Sequence, residues 1–193
     1  MRTEYALFVV VKVANANEKS CAEVTLRALT FADRFKVRRW MRDLNVIKYT
    51  VLVPGPNYSQ VRPYSTENAD AYLKVLVNDK RREAYAIVVE GEHIGNVGLK
   101  EIDLDKKNAE CFIEIGESDD RRRGIGTKAM RLLMRRAQEI GLSSLRLGVF
   151  EFNAPAIALY ERLDFKVSGT YGWHYSERRF WEVYEMTYFF DEH

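Results

Sequence analysis

The sequence predicts an α/β (α+β) fold whose elements run in the order strand, two helices, three strands, helix, strand, helix and two strands. Apolar runs bounded by turn residues predict three consecutive strands at residues 84–90, 93–103 and 108–115. Apolar residues spaced three and four apart predict amphipathic helices at residues 66–79 and 127–140. The two periodicities together indicate a fold that contains both sheet and helices.

The remaining elements are predicted from turn and capping residues. We expect a strand at residues 5–13, a second strand at residues 24–29 and a helix at residues 31–44. Prolines and a glycine interrupt regular structure in residues 53–65, which we expect to form a loop. The rest of the prediction comprises hairpin turns at residues 90–92 and 105–108, a strand at 145–150, a short helix from Asn153, and strands at 166–171 and 180–188.

Length and composition indicate one globular domain over residues 1–193, with its core at about 24–190. The chain is 47% hydrophobic, and a net charge of +2 gives no reason to expect a nucleic-acid partner. Cys21 and Cys111 form no disulfide framework and fit a reducing, cytoplasmic location. No apolar run is long enough to span a membrane, and residues 5–13 favour a strand over a signal peptide. The histidines lack ligand spacing, so no metal site is expected.

A glycine-containing turn between residues 109–116 and the helix at residues 127–140 predicts an anion-binding site. Glycine lets the backbone approach an anion closely, and a helix start offers unpaired N–H groups and the positive end of the helix dipole. Neighbouring arginines suit a ligand with several phosphates, although a solvated basic run is the alternative. The candidate pyrophosphate-binding residues are Arg121, Arg122, Arg123, Gly124, Ile125, Gly126 and Thr127.

The same glycines fit a second interpretation, a nicotinamide-dinucleotide-binding domain. Gly124, Gly126 and Ala129 match the Rossmann spacing, and Glu151 ends the next strand about 20 residues on, where a ribose-binding acid is expected. However, polar residues 117–120 and the arginines separate the glycines from their strand. The roughly 65 residues beyond also leave little room for a second mononucleotide-binding half, so this interpretation is less favoured.

A second motif follows the strand predicted at residues 145–150. It reads Asn-x-x-Ala-x-x-Leu-Tyr from Asn153 to Tyr160 and ends at Phe165. Together with the pattern Arg-x-x-Gly-x-Gly that begins at Arg121, it resembles the GNAT family of N-acetyltransferases. The resemblance covers nearly the whole chain, and its first strand and helix start are similar to the branch that holds the ribosomal-protein N-terminal and spermidine acetyltransferases.

The resemblance implies a central mixed, mostly antiparallel sheet flanked by helices, with a splayed strand pair that admits acetyl-CoA. The strands at residues 109–116 and 145–150 would part, and the pantetheine arm would pair with the backbone of the first. Ordinary sheet residues and a simple helix cap at Asn153 are the alternatives. The residues that the resemblance adds to the glycine turn as acetyl-CoA contacts are Glu114, Ile115, Gly116, Asn153, Ala156 and Tyr160.

The resemblance also implies a reaction, the transfer of the acetyl group of acetyl-CoA to a primary amine by direct attack in a ternary complex. Tyr160 falls at the family's general-acid position, where a phenol with a pKa of about 10 protonates the leaving thiolate. Glu110 falls at the position of the catalytic glutamate of some members, and Glu114 and Glu101 are further candidates for the base. A packed tyrosine and solvated glutamates are the alternatives, as is a non-catalytic acyl-CoA-binding sensor.

Two departures from the family pattern bear on stability and on the acceptor. The motif usually ends Leu-Gly-Phe, whereas Asp164 stands here at the glycine, which commonly takes a positive φ. Residues 47–56 hold no acidic side chain where spermidine acetyltransferases carry them, so a polyamine acceptor is not favoured. A protein N-terminus or a small-molecule amine is the expected acceptor, and a homodimer is left open. Three further residues either overhang the acceptor pocket or form a plain surface loop. They are Trp173, His174 and Tyr175.

Overall fold

The computed structural model describes residues 23–49, 63–176 and 179–191. The strand predicted at residues 5–13, Cys21 and most of the loop predicted at residues 53–65 lie outside the described residues. In the part of the chain that is described, no helix is both long enough and apolar enough to cross a membrane.

The described strands form one mixed sheet. They are β1 (Val24–Ala28), β2 (Glu83–Val89), β3 (Glu92–Asp103), β4 (Asn108–Ile115), β5 (Ser144–Phe150), β6 (Lys166–Ser176) and β7 (Arg179–Phe189). Their order across the sheet is β1-β2-β3-β4-β5-β7-β6. All neighbours are antiparallel except β4 and β5, which run parallel. The predicted mixed, mostly antiparallel sheet is therefore confirmed.

Helices cover both faces of this sheet. They are α1 (Arg34–Trp40), α2 (Leu44–Ile47), α3 (Thr66–Asn78), α4 (Ile125–Glu139) and α5 (Ala154–Glu161). The larger core joins α4 and α5 to the sheet and includes Met130, Leu133 and Leu145. A second core around Trp40 and Leu73 joins α1, α2 and α3 to the other side. Because side chains alternate along a strand, the central strands contribute to both cores.

The helix predicted at residues 31–44 is wrong in its extent, because the chain divides it. A separate helix, α2, begins at Leu44. Asp43 starts it, since its Oδ1 accepts a hydrogen bond from Asn45 N at 2.8 Å and so caps the new first turn. α2 then buries the side chains of Val46 and Ile47 in the second core.

The other predicted elements within the described residues are present, with small differences at their ends. The strand at residues 108–115 has the predicted bounds. The helix predicted at residues 127–140 starts earlier, at Ile125, because the turn before it ends in a glycine. The strand predicted at residues 166–171 continues to Ser176, paired with β7 along its length.

Asp164 ends the segment after α5 in a left-handed conformation, with φ 65°. Its N–H donates to Glu161 O at 3.0 Å, and the N–H of Phe165 donates to Tyr160 O at 3.1 Å. These bonds close the helix end in the way that glycine commonly does. The positive φ expected at this position is confirmed.

We expect Asp164→Gly to raise the free energy of unfolding by about 1 kcal/mol or less, because the relief of strain is partly offset by the larger unfolded-state entropy of glycine. Asp164→Val should be clearly destabilising, since a β-branched residue resists the left-handed region. Asp164→Asn is the control for the unfavourable negative charge near a helix C-terminus. Denaturation midpoints compare the three, and a Val variant as stable as the wild type would contradict the strained-turn interpretation.

Candidate functional site

β4 and β5 run side by side for only three residue pairs. Parallel pairing begins at Asn108 opposite Ser144 and ends at Glu110 opposite Arg146. β4 continues to Ile115, so over its remaining length the edge that faces β5 has no strand partner among the described residues. The result is an opening bordered by backbone N–H and C=O groups, which is the parting of two strands that the family resemblance implies.

The start of α4 presents unpaired backbone donors. Gly124 is the N-cap, with φ 76° in the left-handed region, and it has no side chain that could accept from the first turn. The N–H groups of Ile125, Gly126 and Thr127 therefore have no intrahelical acceptor. With the positive end of the helix dipole they form a site suited to an anion.

This start of α4 lies beside both β4 and α5. A Cβ on Gly126 would lie 3.4 Å from a methyl of Leu159 in α5 and 3.8 Å from one of Ile113 in β4. Asn153 occupies the N-cap position of α5, as predicted, but its side chain makes no capping hydrogen bond there. Ala156 is partly buried one turn into the same helix and packs on the larger core. The two sequence motifs therefore meet at the opening.

Arg121 is engaged by backbone carbonyl groups. Its Nε and Nη2 donate to Ile115 O at 3.2 and 3.0 Å, and its Nη1 donates to Asn45 O at 3.3 Å. The side chain thus joins the end of β4 to α2. Its predicted phosphate contact stays a prediction.

The next two arginines stand on the surface of the turn. Arg122 is exposed and has φ 63°, so it shares the left-handed region with Gly124. Turns with left-handed residues form concavities of N–H groups that bind anions. Arg123 is exposed and donates to Asp120 Oδ1 at 2.7 Å. Both guanidinium groups therefore add positive charge beside the start of α4.

β4 turns alternate side chains toward the second core. Phe112 packs there, and Gly116 lies so close to the indole of Trp40 that a Cβ would overlap the ring. By alternation, Glu110 and Glu114 lie on this same face. The two β4 candidates for a base are therefore on the face of the sheet opposite α4.

Two of the three candidate glutamates have a cationic partner. Glu110 Oε1 lies 2.6 Å from Lys100 Nζ. Glu101, which is exposed and has φ 52°, pairs with Arg146 of β5. Among the described residues, no group of three or more His, Cys, Asp or Glu side chains is arranged to hold a metal ion.

Glu114 is different, because its carboxyl group is largely enclosed. Burial raises the pKa of Glu114 to about 7, while the amide of Asn96 and the charge of Arg121 act in the opposite direction. Its Oε1 is shielded from solvent and has no hydrogen-bond partner among the described residues. Burial raises the pKa of Tyr64 and Tyr72, and the charge of Glu114 adds to both shifts. A carboxyl group that titrates near neutral pH is suited to general-base catalysis.

His93 and Asn96 of β3 are two buried polar residues near Glu114 that sequence reasoning missed. Asn96 is the cross-strand partner of Glu114, and its Oδ1 lies 3.0 Å from His93 Nε2. His93 Nδ1 in turn lies 3.3 Å from Asp33 Oδ1. The available signal was the asparagine itself, a polar side chain in the middle of the otherwise apolar and glycine-rich run of residues 94–99.

Tyr160 is buried at the end of α5, with its ring centroid 5.8 Å from that of Phe165. Burial raises its pKa, and the neighbouring thiol of Cys111 adds to the shift. Cys111 is itself buried on β4, where burial raises its pKa to about 12. Tyr160 therefore stays protonated at neutral pH and lies on the α4 side of β4.

Trp173, His174 and Tyr175 lie in β6 rather than in a loop. Trp173 pairs with Trp181 across the β6–β7 hairpin, and the ring centroid of His174 is 5.5 Å from that of Phe180. The surface-loop alternative is therefore wrong, because strand pairing extends to the end of this hairpin. A position over the acceptor pocket stays a prediction.

Comparison with known proteins agrees with this architecture. Residues 23–166 match the family model of the GNAT acetyltransferase domain. A search of curated protein sequences finds no match.

Solved structures share the fold at low sequence identity. A spermidine N-acetyltransferase from Vibrio cholerae, in complex with CoA and spermine, has 21% identity and a TM-score of 0.72, over 86% of this chain and 95% of that chain. A GNAT-family acetyltransferase from Bacillus anthracis has 16% identity and a TM-score of 0.70, over 87% and 96%. An N-acetyltransferase from Staphylococcus aureus has 15% identity and a TM-score of 0.67, over 86% and 98%. Because the family model covers most of the chain, the chain belongs to the GNAT family of acetyltransferases and is an acyltransferase.

Proposed function

We propose that the protein is an N-acetyltransferase that moves the acetyl group of acetyl-CoA to a primary amine by direct attack in a ternary complex. The observation that carries this proposal is the opening between β4 and β5, which leads to the glycine-capped start of α4. The Vibrio cholerae structure, which contains CoA, supports the choice of the donor. We also propose that residues 1–193 form one such domain, with its core at about 24–190.

Acetyl-CoA would lie with its pantetheine arm in the opening and its pyrophosphate at the start of α4. Glu114, Ile115 and Gly116 end this edge of β4 and are the proposed backbone contacts of the arm. Two of their groups are already engaged, because Gly116 N–H donates to Ile94 O at 2.9 Å and Ile115 O accepts from Arg121. Unpaired N–H groups of the first turn of α4, together with the charges of Arg122 and Arg123, suit the phosphates. In this proposal Arg121 acts chiefly by holding the end of β4, and Asn153 and Ala156 border the arm from α5.

Tyr160 is the proposed general acid. The amine nitrogen attacks the thioester carbonyl, and collapse of the tetrahedral intermediate breaks the C–S bond. The departing thiolate of CoA then takes the phenolic proton. The raised pKa of Tyr160, which burial causes, keeps that proton available at neutral pH.

Glu114 is the proposed general base. An ammonium group must lose a proton before its nitrogen can attack, and a base with a pKa near the working pH does this efficiently. Burial raises the pKa of Glu114 to about 7, and the carboxyl group faces the side of the sheet away from α4. Glu110, which the family resemblance favours, lies on the same face in an ion pair with Lys100 and is the competing assignment.

The acceptor is proposed to be a protein N-terminal amine or a small-molecule amine. The Vibrio cholerae enzyme holds spermine, but the acid-free residues 47–56 of this chain do not favour a polyamine. A non-catalytic acyl-CoA sensor would bind acetyl-CoA without transferring the acetyl group, and a dinucleotide-binding domain would bind NAD. Thermal shifts with acetyl-CoA, CoA and NAD, followed by CoA release with a panel of primary amines, separate these functions.

We expect Gly124→Ala to weaken acetyl-CoA binding by at least about tenfold, because a Cβ would meet the ligand at the start of α4. Gly141→Ala is a matched control. Both glycines have a positive φ, 76° and 84°, and a Cβ at either position would meet no protein atom within 4 Å. The two variants therefore pay a similar backbone strain. Calorimetric titration compares them, and equal affinities would remove this turn from the acetyl-CoA site.

We expect Tyr160→Phe to lower turnover by roughly 10²-fold, at the low end for loss of a general acid, while acetyl-CoA affinity stays nearly unchanged. The phenylalanine keeps the ring that packs against Phe165 and removes only the proton donor. CoA release with an accepted amine measures turnover, and calorimetry measures affinity. Wild-type turnover in this variant would exclude Tyr160 as the acid.

We expect turnover of the wild type to rise with pH up to about 7 and then to level off, because Glu114 must be ionised to accept a proton. Glu114→Gln should lower turnover by roughly 10²-fold and abolish this inflection. Glu110→Gln is compared in the same assay with the same amine, whose own titration is common to all three proteins. An inflection that disappears in Glu110→Gln and survives in Glu114→Gln would reassign the base to Glu110.

A further inference from the structure

A row of polar side chains leads from the protein surface to Glu114. Arg27 donates to both carboxylate oxygens of Asp33, at 2.9 and 2.6 Å. Asp33 Oδ1 lies 3.3 Å from His93 Nδ1, and His93 Nε2 lies 3.0 Å from Asn96 Oδ1. Asn96 and Glu114 are direct cross-strand partners. Such partners have Cβ atoms about 4.5–5.5 Å apart, which brings an amide and a carboxyl group within reach of each other.

The row is enclosed in the second core. His93 and Asn96 are 5% and 0% exposed, and the indole of Trp40 stands edge-on to the imidazole with 4.8 Å between ring centroids. His93 Nδ1, Asn96 Nδ2 and Glu114 Oε1 are buried without a well-aligned hydrogen-bond partner among the described residues. Native proteins rarely leave buried polar atoms without a hydrogen bond. Three such atoms in one row therefore indicate that the row can rearrange its hydrogen bonds.

The three atoms are linked by simple donor and acceptor rules. When Glu114 is ionised, Asn96 must donate to it from Nδ2, so Asn96 Oδ1 accepts the Nε2–H of His93. The Nδ1 lone pair of His93 then faces the carboxylate of Asp33. Burial lowers the pKa of His93, which keeps the ring neutral and leaves this contact unsatisfied at neutral pH.

Protonation of Glu114 allows the opposite orientation. Its O–H donates to Asn96 Oδ1 once the amide has reversed, Asn96 Nδ2 donates to His93 Nε2, and the Nδ1–H of His93 donates to Asp33. The row binds one additional proton, which resides on Glu114. His93 carries one proton in both orientations and exchanges its position through solvent.

We propose that Asp33, His93 and Asn96 are positioning residues for Glu114, and that they reverse their hydrogen bonds when Glu114 takes up a proton. This role rests on the proposed function, because it serves catalysis only where Glu114 is the base. Asp33 is a fixed acceptor at the far end of the row. Burial opposes its ionisation, but hydrogen bonds from Arg27 and from the N–H of Thr30 lower the pKa of Asp33 to about 2.

Other charged and titratable groups also face the row. Lys36 Nζ donates to the carbonyl oxygen of His93 at 2.8 Å and pairs with Glu92. Arg121 lowers the pKa of Glu114, which Tyr64 and Tyr72 also face. These groups are retained in the variants below, so any change in titration comes from the row itself.

NMR of the full chain tests the proposal without an acceptor or a cofactor. Glutamate labelled with ¹³C at Cδ reports the carboxyl groups, and ¹⁵N in the imidazole ring reports the histidine tautomer. Spectra of Glu114→Gln and of His93→Phe assign the two signals. In the wild type we expect Glu114 to titrate near pH 7 and His93 to exchange its Nε2–H form for its Nδ1–H form at the same midpoint.

Asn96→Leu is the decisive variant, since leucine is close in size and forms no hydrogen bond. The midpoint of Glu114 should rise, because the carboxylate loses a donor, and the His93 tautomer should no longer follow it. Glu83, whose Oε2 accepts from Arg136 Nε at 2.8 Å, is the control carboxylate and should titrate as before. His93→Phe keeps a ring against Trp40 and should also move the Glu114 midpoint, so the test survives poor folding of one variant.

Two results of the NMR experiment overturn the coupled reversal of the hydrogen bonds, and with it the proposal. One is a wild-type His93 tautomer that does not change at the Glu114 midpoint. The other is a Glu114 midpoint that is the same in the wild type, Asn96→Leu and His93→Phe. Failure of the proposed function is seen separately, because it appears as a pH inflection of turnover that survives in Glu114→Gln. That result would refute the base, and with it the positioning role, while leaving the coupled titration as an observable property of the fold.

Discussion

The parting of β4 from β5 is the constraint on which the rest of the structure depends. Three residue pairs connect a unit of β1 to β4 with a unit of β5, β7 and β6, and beyond them the two edges face each other unpaired. Backbone N–H and C=O groups at such edges need partners, which a ligand with amide groups can provide in place of a strand. The opening is therefore a property of chain connectivity. It does not require particular side chains along the gap, in keeping with a fold that is shared at 15–21% identity.

Most helices and strands could be predicted because the signals that define them, such as turn and capping residues, lie close to each element in sequence. The strand at residues 108–115 is bounded by turn residues, and the positive φ of Asp164 follows from its place at the end of α5. The division of the helix predicted at residues 31–44 could not be read in the same way. Asp43 fits a helix surface as well as a cap, and the choice depends on what the following turn buries in the second core.

The side-chain partners at the candidate site were less predictable, because tertiary contacts decide them. A run of arginines beside glycines indicates an anion site. The donors of Arg121, however, are taken by the carbonyl groups of Ile115, at the end of β4, and of Asn45, in α2, and the folded chain alone brings these groups to it. Alternation along β4 predicts that Glu110 and Glu114 lie on one face. It does not tell which of the two carboxyl groups the helices enclose. That enclosure is what raises the pKa of Glu114.

Trp40 has a consequence for observing this protein. Its indole covers Gly116, stands edge-on to His93 and donates from Nε1 to Glu117 Oε1 at 3.1 Å, so one ring touches the ends of both central strands. Indole emission responds to the charge and polarity of its surroundings. The chain has three tryptophans, and the other two, Trp173 and Trp181, face each other across the β6–β7 hairpin. With those two replaced by phenylalanine, Trp40 would be the single tryptophan, at the junction of α1, β3 and β4. Its emission, excited selectively over that of the tyrosines, would then report changes in the second core without an attached dye.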